Sequence, residues 1–384
     1  MTAPVYILSA TRTPIGSFQG ALSALSAPSL GAHAIATAVA ESRLGPEAVS
    51  EGIIGNVIGA GLGQAPARQA MRQAQLPDGC PASTLNKVCG SGMKATMLGH
   101  DLIKAGTAET VVTGGMESMT NAPYLLPKAR GGQRMGHGEL KDAMFLDGLE
   151  DAETGGAMGA FAQATADRYQ LTRESMDAYA VQSVERARAA MKSGALAAEI
   201  RPIAVRDLEI SEDEQPLRSK IDKIPTLRPA FKKDGTITAA NASSISDGAS
   251  ALVLSTRTDG ATPLARIVGH HTHSQHPSEF TTAPVGAIGA LLKKLDWSAD
   301  EVDLYEINEA FAMVTMLAIS ELSLPADRVN VYGGACAQGH PIGSTGARLI
   351  VTLAHALAAR GGKRGIASLC IGGGEATAIA LVRD

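Results

Sequence analysis

An alternation of short apolar strands with helical segments occurs twice along the 384-residue chain and constrains the fold more than any other feature. The first alternation runs from residues 5–8 to residues 110–113, and the second from residues 265–268 to residues 376–382. Strands that alternate with helices of this length are typical of βαβ units. The sequence therefore predicts an α/β protein with a largely parallel sheet.

The two alternations end alike, which indicates an internal duplication. In each, a turn opens a helix, and the following strand runs into consecutive glycines and a glutamate, Glu117 in the first and Glu375 in the second. A shared motif at matching positions predicts two similar halves. We place the first half at residues 1–118 plus 246–262, and the second half at residues 263–384.

Residues 119–245 interrupt the first half and differ from it in character. Loops punctuated by glycine surround two helices predicted at residues 159–169 and 173–193, and a polar stretch of mixed charge follows at residues 211–221. We expect such a segment to form an inserted loop domain that packs on the scaffold, because it does not continue the alternation.

Composition and charge exclude several classes of protein. The formal net charge is −4, which does not provide the basic surface that nucleic-acid binding needs. No apolar run approaches the roughly 20 residues of a membrane span, and the first residues lack the pattern of a signal peptide. We therefore expect no nucleic-acid partner, no membrane partner, and a cytoplasmic location in which the four cysteines stay as free thiols.

Cys89 is the first candidate for chemistry, within a segment at residues 86–95 that reads NKVCGSGMKA. It precedes a predicted helix, whose free N–H groups and dipole are expected to lower the pKa of the thiol. Gly90 and Gly92 allow the backbone to approach a substrate closely. The segment favours an activated nucleophile over its alternative, a buried cysteine before a glycine-rich helix start.

Two further candidates lie in the second alternation, and each has a structural alternative. His340 stands in a turn rich in glycine and proline, which suits a catalytic partner and a structural histidine equally. Asn308 follows a strand and precedes a helix. It is either the helix N-cap or an amide at the edge of the sheet, where ligands of open α/β folds bind.

Cys370 is the second cysteine with a suggestive setting, near the end of a strand and before three consecutive glycines. The N–H groups that such a turn exposes can hold an oxyanion. Taken alone, the position still favours a cysteine packed in the core of the sheet.

Four histidines lie close together in the second alternation, His270, His271, His273 and His276. No cysteine or carboxylate pattern accompanies them, so the cluster does not predict a metal site. Cys336 and His340 have the spacing of half a metal site, but no second pair completes it. We expect no bound metal.

Six segments, in order along essentially the whole chain, resemble the thiolase family. They read NKVCGSGMKA, GGMESM, RPAFKKDGTITAANAS, YEINEAFA, GGACAQGHPIGSTGAR and CIGGGEA. One such motif would be weak evidence, whereas six in the family's order and spacing are specific. The resemblance implies a thiolase fold, in which two similar halves form five αβαβα layers and the inserted loop domain binds coenzyme A.

The resemblance also implies a role for each catalytic candidate. Cys89 would be the acylated nucleophile, His340 its activator, and Cys370 the acid/base that removes a proton from the second acyl-CoA. Asn308 would hold a water that completes one oxyanion hole with His340. The backbone N–H groups of Cys89 and Gly372 would form the other hole, and no metal or redox cofactor is implied.

By motif position, the resemblance implies six contacts with the pantetheine or adenine parts of coenzyme A: Met158, Phe231, Ala239, Ala242, Ser243 and Phe311. Two departures from related sequences bear on substrate preference. Ala157 stands where many short-chain members carry histidine, and Phe280 stands where biosynthetic members usually carry methionine near the acyl pocket. Neither departure touches the catalytic candidates.

The reaction implied by the resemblance is the reversible condensation of two acetyl-CoA to acetoacetyl-CoA and free coenzyme A, within fatty acid metabolism. The resemblance further implies a homodimer or a homotetramer. Two alternatives stay open: a thiolase that cleaves longer or functionalised 3-ketoacyl-CoAs, and an inactive thiolase-like scaffold that binds acyl-CoA or lipid. The presence of both cysteines, the histidine and the asparagine argues against the inactive scaffold.

Overall fold

The computed structural model of the protein describes residues 3–384. Its strands are β1 (Val5–Arg12), β2 (Gly16–Ser17), β3 (Glu51–Gly55), β4 (Ala82–Leu85), β5 (Thr110–Ser118), β6 (Tyr124–Leu125), β7 (Lys141–Asp142), β8 (Ile203–Val205), β9 (Leu208–Ile210), β10 (Ser246–Ser255), β11 (Ala265–Ser274), β12 (Leu304–Ile307), β13 (Arg364–Ile371) and β14 (Glu375–Val382). Its α-helices are α1 (Ala27–Ser42), α2 (Pro66–Gln73), α3 (Ser91–Lys104), α4 (Met158–Arg168), α5 (Arg173–Ser193), α6 (Glu214–Arg218), α7 (Ala283–Leu295), α8 (Ala312–Leu322), α9 (Ala335–Gln338) and α10 (Ile342–Arg360).

Helix α5 shows how local sequence sets the ends of a helix. It begins after Thr172, whose hydroxyl accepts a hydrogen bond from the N–H of Ser175. It ends at Gly194, which adopts the left-handed conformation that glycine accepts without strain. Because both signals are local, the predicted helix at residues 173–193 is confirmed at both ends.

Ten of the described strands form one continuous sheet, in the order β12-β13-β14-β11-β1-β10-β5-β3-β4, with β2 beside β10. β1 and β11 join the two halves as an antiparallel pair, in which Tyr6 lies opposite Arg266. From this junction, β1-β10-β5-β3-β4 on one side matches β11-β14-β13-β12 on the other. Within the described sheet, the second half has no strand that corresponds to β4. A single parallel bridge between Val329 and Tyr305 of β12 lies at that edge instead. The strand order therefore repeats, as the predicted duplication requires.

The prediction of a largely parallel sheet is wrong. Within the described sheet, the parallel pairs are β3 with β4, β3 with β5, and β12 with β13, and the other pairs are antiparallel. The glycine turn between β13 and β14 is too short for a crossover, so it can join only antiparallel neighbours. Residues 329–333 form only isolated bridges in the described structure.

Helices and sheet form five layers. α1 and α2 cover the outer face of the first half, while α7 and α8 cover the outer face of the second half. α3 and α10 pack against each other and against strands of both halves, so they form the middle layer. The predicted αβαβα arrangement is confirmed.

The middle layer is deeply buried. Met93 and Met97 of α3 and Leu349 and Leu353 of α10 are at most 1% exposed. Burial of each such apolar side chain away from water stabilises the fold by roughly 1.5–3 kcal/mol. α10 is long and apolar enough to cross a membrane, but 83% of its apolar stretch is buried inside the protein, so it is a core helix.

A buried ion-pair network fastens the insertion, residues 119–245, to β1. The Arg12 Nε donates to Glu199 at 2.6 Å, and its two terminal nitrogens donate to Asp213 at 2.7 and 2.9 Å. Asp213 also accepts a hydrogen bond from the backbone N–H of Ile15 at 2.8 Å. All three charged side chains are at most 1% exposed, so the network fixes where the insertion sits.

Candidate active site

A mainly apolar cavity of about 250 Å³ lies where the insertion meets the loops before α3 and α10 and after β13. Eight of the predicted site residues line it together: Cys89, Met158, Phe231, Ala242, Ser243, Phe311, His340 and Gly372. Cys370 and Asn308 are fully buried and do not line it, and Ala239 is exposed outside it. The fold therefore gathers residues from three distant segments around one cavity.

The loop that carries Cys89 is held in a strained conformation. Val88, a β-branched residue, adopts a φ of +47°, in a region that such residues rarely occupy. Asn86 accepts a hydrogen bond from the Val88 N–H at 2.9 Å, and the Ser91 hydroxyl donates to the Val88 carbonyl at 2.6 Å. These hydrogen bonds hold the backbone in place and so position Cys89.

Gly90 explains how this loop can approach the end of β13. A Cβ at Gly90 would lie 2.3 Å from the Cδ1 of Ile371, a distance at which the loop would have to move away. Because position 90 is glycine, Cys89 lies next to the turn that begins at Gly372.

Burial has the largest effect on the pKa of the Cys89 thiol. Loss of solvent raises the pKa of Cys89 to about 11, and the backbone N–H groups of Gly372 and Cys89 offset only part of that rise. The expectation that the start of α3 lowers the pKa of this thiol is therefore wrong. The resting group is a neutral thiol, and it needs a base in order to react.

His340 lines the same cavity as Cys89 and carries a ring nitrogen that can accept a proton. Its Nδ1 lies 2.6 Å from the Thr345 hydroxyl, which donates its own proton to the Pro341 carbonyl at 3.0 Å. We therefore assign the Nδ1–H of His340 as the donor to Thr345, which leaves the lone pair on Nε2. Nε2 is buried and has no hydrogen-bond partner among residues 3–384.

The imidazole of His340 is neutral at rest. Burial, and secondarily the positive charge of Arg348, lowers the pKa of His340 to about 3. A neutral imidazole with a free Nε2 can accept the proton of a neighbouring thiol and can then donate a hydrogen bond from the same nitrogen.

Cys370 lies at the end of β13 with no exposed surface. Burial raises the pKa of this thiol well above its usual value, and the charge of a nearby Cys89 thiolate raises it further. Two neighbouring thiols that interact electrostatically are not ionised together. The pair can therefore share the tasks of nucleophile and acid.

Asn308 is not a helix N-cap, because α8 begins at Ala312 with Phe311 at the cap position. The Asn308 side chain is buried, and neither its oxygen nor its nitrogen has a hydrogen-bond partner in the described chain. An unsatisfied buried amide costs about 1–3 kcal/mol. This amide is therefore available to a ligand or a water.

Glu117 is a functional neighbour that the sequence interpretation missed. Its buried carboxylate accepts hydrogen bonds from the N–H groups of Val57 and Gly343, each at 3.0 Å. It also accepts from the Asn56 side chain at 2.7 Å and from the Ile58 N–H at 3.2 Å. Burial raises the pKa of Glu117 to about 7. Through Gly343, this carboxylate anchors the start of α10, next to the His340 turn.

Aromatic rings form the side of the cavity towards the insertion. Phe311 meets Phe231 and Phe280 edge-on, with ring centroids 6.2 and 6.4 Å away. A Cβ at Gly159 would lie 2.2 Å from the Phe231 ring, so glycine at the start of α4 lets the ring pack there. Ala157 and Phe280, the two sequence departures, both line the cavity.

A π-helical turn, Phe145–Leu149, also contributes to the wall and was not predicted. A single turn is too short for hydrophobic periodicity to reveal. The repeated glycine–glutamate ending was the available signal for Glu117, since it marked a charged residue at the end of a buried strand.

Comparison with known families decides the identity of this arrangement. The model of the thiolase N-terminal domain matches residues 5–258, and that of the thiolase C-terminal domain matches residues 261–383. The chain belongs to the thiolase family. The family resemblance of the sequence motifs is thereby confirmed, and the matches leave only the extreme ends and two residues at the junction uncovered.

Relatives of this thiolase carry one recurrent name. The chain is 47% identical to an acetyl-CoA acetyltransferase of Pseudomonas aeruginosa, covering 99% of each chain. It is 46% identical to an acetyl-CoA acetyltransferase of Schizosaccharomyces pombe, covering 99% of this chain and 98% of the relative. The chain is thus an enzyme of the thiolase family, and the cavity can be interpreted as a candidate active site.

Two solved structures share the fold of this thiolase. A thiolase from Ascaris suum in complex with coenzyme A superposes with a TM-score of 0.95 at 43% identity, covering 99% of this chain and 100% of that one. A human mitochondrial 3-ketoacyl-CoA thiolase in complex with coenzyme A superposes with a TM-score of 0.96 at 36% identity, covering 100% and 98%.

Proposed function

We propose that this thiolase catalyses the reversible condensation of two acetyl-CoA to acetoacetyl-CoA and coenzyme A, through an acyl group on Cys89. The observation that carries the proposal is the meeting of Cys89, His340 and Gly372 at one cavity, with the Cys370 thiol buried close to Cys89. The names of its relatives, acetyl-CoA acetyltransferases, support this choice of substrate.

In the first half-reaction, Cys89 passes its proton to Nε2 of His340 and attacks the thioester carbonyl. The developing oxyanion is held by the backbone N–H groups of Cys89 and Gly372. The carbon–sulfur bond to coenzyme A breaks, and the leaving thiolate takes the proton of Cys370. The products are acyl-Cys89, free coenzyme A, an imidazolium at His340 and a thiolate at Cys370, so charge is conserved.

In the second half-reaction, the Cys370 thiolate removes a proton from the α-carbon of the second acetyl-CoA. The enolate oxygen is held by the Nε2–H of His340 and by a water on the Asn308 amide, whose two polar groups are otherwise unpaired. The enolate carbon attacks acyl-Cys89 and expels its sulfur, which recovers a proton from His340. Both thiols and the imidazole return to their starting states.

Apart from the water on Asn308, the groups of this mechanism belong to the chain and to the coenzyme A thioester substrates, so the proposed reaction needs no metal or redox cofactor. The contacts proposed for coenzyme A are the cavity residues Met158, Phe231, Ala242, Ser243 and Phe311. Ala239 is a weaker proposal, because it lies exposed outside the cavity.

The second candidate function is thiolysis of longer or functionalised 3-ketoacyl-CoAs. The small side chain of Ala157 in the cavity wall favours it, since it leaves space beside Met158. The bulk of Phe280 in the same wall favours short chains instead. Thiolysis of 3-ketoacyl-CoAs of increasing length, with acetoacetyl-CoA as the reference, separates the two functions by the length at which kcat/KM is highest.

Acyl transfer to Cys89 is tested by mass spectrometry of the intact protein after mixing with acetyl-CoA. We expect an acetyl adduct on wild type and on Cys370→Ala, but none on Cys89→Ala. Cys370→Ala should fail to condense, because no base removes the α-proton. Cys80→Ala is the matched control, since Cys80 is buried in another cluster and should keep full activity. An adduct on Cys89→Ala, or normal condensation by Cys370→Ala, would refute the roles.

We also propose a homodimer or homotetramer and a cytoplasmic location. β4, at the edge of the sheet, pairs on one side only within the described chain, which leaves its other side for a second copy. The four cysteines are free thiols, as a reducing compartment favours. Light scattering of the purified protein measures the assembly, and a monomeric mass would contradict it.

A further inference from the structure

We infer that His100, Asp101 and His270 form a binding site for one divalent transition-metal ion, of which Zn²⁺ is the expected member. The Nδ1 of His100 lies 3.1 Å from the Oδ1 of Asp101, and the Nε2 of His270 lies 2.9 Å from the same oxygen. All three ligand atoms lie within 4.8 Å of one another. Three donors of the types that bind zinc therefore lie close enough together to share one ion.

The cluster is distinct from the catalytic cavity. His100 and Asp101 belong to the last turns of α3, and His270 lies in the middle of β11. His100 lies eleven positions after Cys89, and α3 spans most of that stretch, which corresponds to about 16 Å at the rise of an α-helix. None of the three residues lines the cavity.

The geometry suits a compact metal ion. Bonds of about 2.0–2.1 Å in a tetrahedron place neighbouring ligand atoms roughly 3.3 Å apart, close to the two distances from Asp101. The imidazole rings of His100 and His270 are perpendicular, with centroids 5.2 Å apart, so they approach the carboxylate from different directions. The three protein ligands would leave a fourth position for water.

The donor set favours one class of ion. Two nitrogens and one carboxylate oxygen suit Zn²⁺, Co²⁺ or Ni²⁺, whereas Mg²⁺ and Ca²⁺ prefer oxygen ligands alone. The side chains of the two histidines are mostly buried, and that of Asp101 is half exposed, which leaves an entry path.

Without a metal, the same atoms can form a hydrogen-bonded histidine–aspartate–histidine chain. The metal-bound and the hydrogen-bonded arrangement differ in how the stability of the protein depends on metal. A metal joins α3 of the first half to β11 of the second half, so it binds the folded protein and stabilises it by mass action. A chain of hydrogen bonds gives no dependence of stability on the concentration of metal.

The test is a titration of chelator-treated protein with Co²⁺, followed by visible absorption, and a thermal unfolding scan with and without Zn²⁺. We expect one Co²⁺ per chain, without the near-ultraviolet band of a cobalt–thiolate bond. We also expect a higher unfolding midpoint in Zn²⁺. His270→Ala should weaken binding by at least about tenfold and remove the shift in unfolding midpoint.

His271→Ala is the matched control, since neighbouring side chains of a strand point to opposite faces of the sheet. This substitution should change neither Co²⁺ binding nor the shift in unfolding midpoint. If His270→Ala does not fold, Asp101→Asn makes the same test at a half-exposed side chain. A thiolate band, binding that survives both substitutions, or equal loss in His271→Ala would overturn the site.

Discussion

At the scale of single residues, burial decides the protonation of the groups proposed to react. Burial raises the pKa of the thiols of Cys89 and Cys370 and lowers the pKa of the His340 imidazole, so the resting site carries no charge on these groups. A neutral site is compatible with an apolar cavity, and it becomes charged only when a substrate brings an oxyanion to the N–H groups. The tautomer of His340 then determines whether its Nε2 can accept the thiol proton.

The hydroxyl of Thr345 fixes that tautomer, so we expect its removal to slow the reaction. Thr345→Val removes the acceptor of the His340 Nδ1–H, so the lone pair is no longer held on Nε2. We expect kcat to fall by roughly 10- to 100-fold, as when the partner that orients a functional histidine is lost. Thr345→Ser keeps the hydroxyl and should restore most of the activity.

The measurement is the rate of Cys89 acetylation, with thermal unfolding as a check on stability. If Thr345→Val is destabilised but acylates at the wild-type rate, Thr345 only supports the start of α10 and does not position the imidazole.

At the scale of elements, the two helices of the middle layer carry the two halves of the reactive site. Cys89 precedes α3, and His340 precedes α10. Glycines let these helices approach backbone to backbone: a Cβ at Gly92 would lie 2.8 Å from the Ala347 nitrogen, and a Cβ at Gly346 would lie 2.5 Å from the Met93 nitrogen. The spacing of the helices therefore sets the spacing of thiol and imidazole.

Gly346→Ala tests this spacing. The added methyl meets backbone, which cannot turn aside, so we expect a loss of about 1–3 kcal/mol in the free energy of unfolding and slower acylation of Cys89. Gly289→Ala is the control in α7, where the nearest atom to the new Cβ, in Leu322, is 3.6 Å away. It should be neutral or stabilise the protein by up to about 1 kcal/mol. Equal effects in urea unfolding would contradict the argument.

At the scale of the whole molecule, the cavity exists because the insertion is fixed on the scaffold. Met158, Phe231, Ala242 and Ser243 belong to the insertion, whereas the catalytic candidates belong to the two halves. The Arg12 network is one of the contacts that hold the two parts together. Its removal should therefore affect both stability and substrate binding.

Arg12→Met leaves Glu199 and Asp213 buried without their cation. Breaking a buried ion pair costs about 3–5 kcal/mol, so we expect a loss of that size in urea unfolding and a higher KM for acetyl-CoA. Arg168→Met breaks the pair with Glu279, whose side chains are 51% and 41% exposed, and should cost less than about 1 kcal/mol. A loss below about 1 kcal/mol for Arg12→Met would show that the network is dispensable.

Features that depend on local chemistry were predictable from the sequence by itself. The ends of α5 follow from a threonine cap and a terminal glycine, and the alternation of strands and helices determined the α/β class. The motifs around Cys89, His340 and Gly372 contain the turn and glycine residues that shape their own loops, so they indicated the family and these three residues of the cavity.

Only the tertiary structure decided the features that depend on residues distant in the chain. It made most strand pairs antiparallel, and it raised rather than lowered the pKa of Cys89, since desolvation depends on everything packed around a group. It also brought Glu117 to Gly343, across 226 positions. His270 has no carboxylate near it in sequence, yet the fold places Asp101 beside it, because α3 packs in the middle layer against the sheet that contains β11.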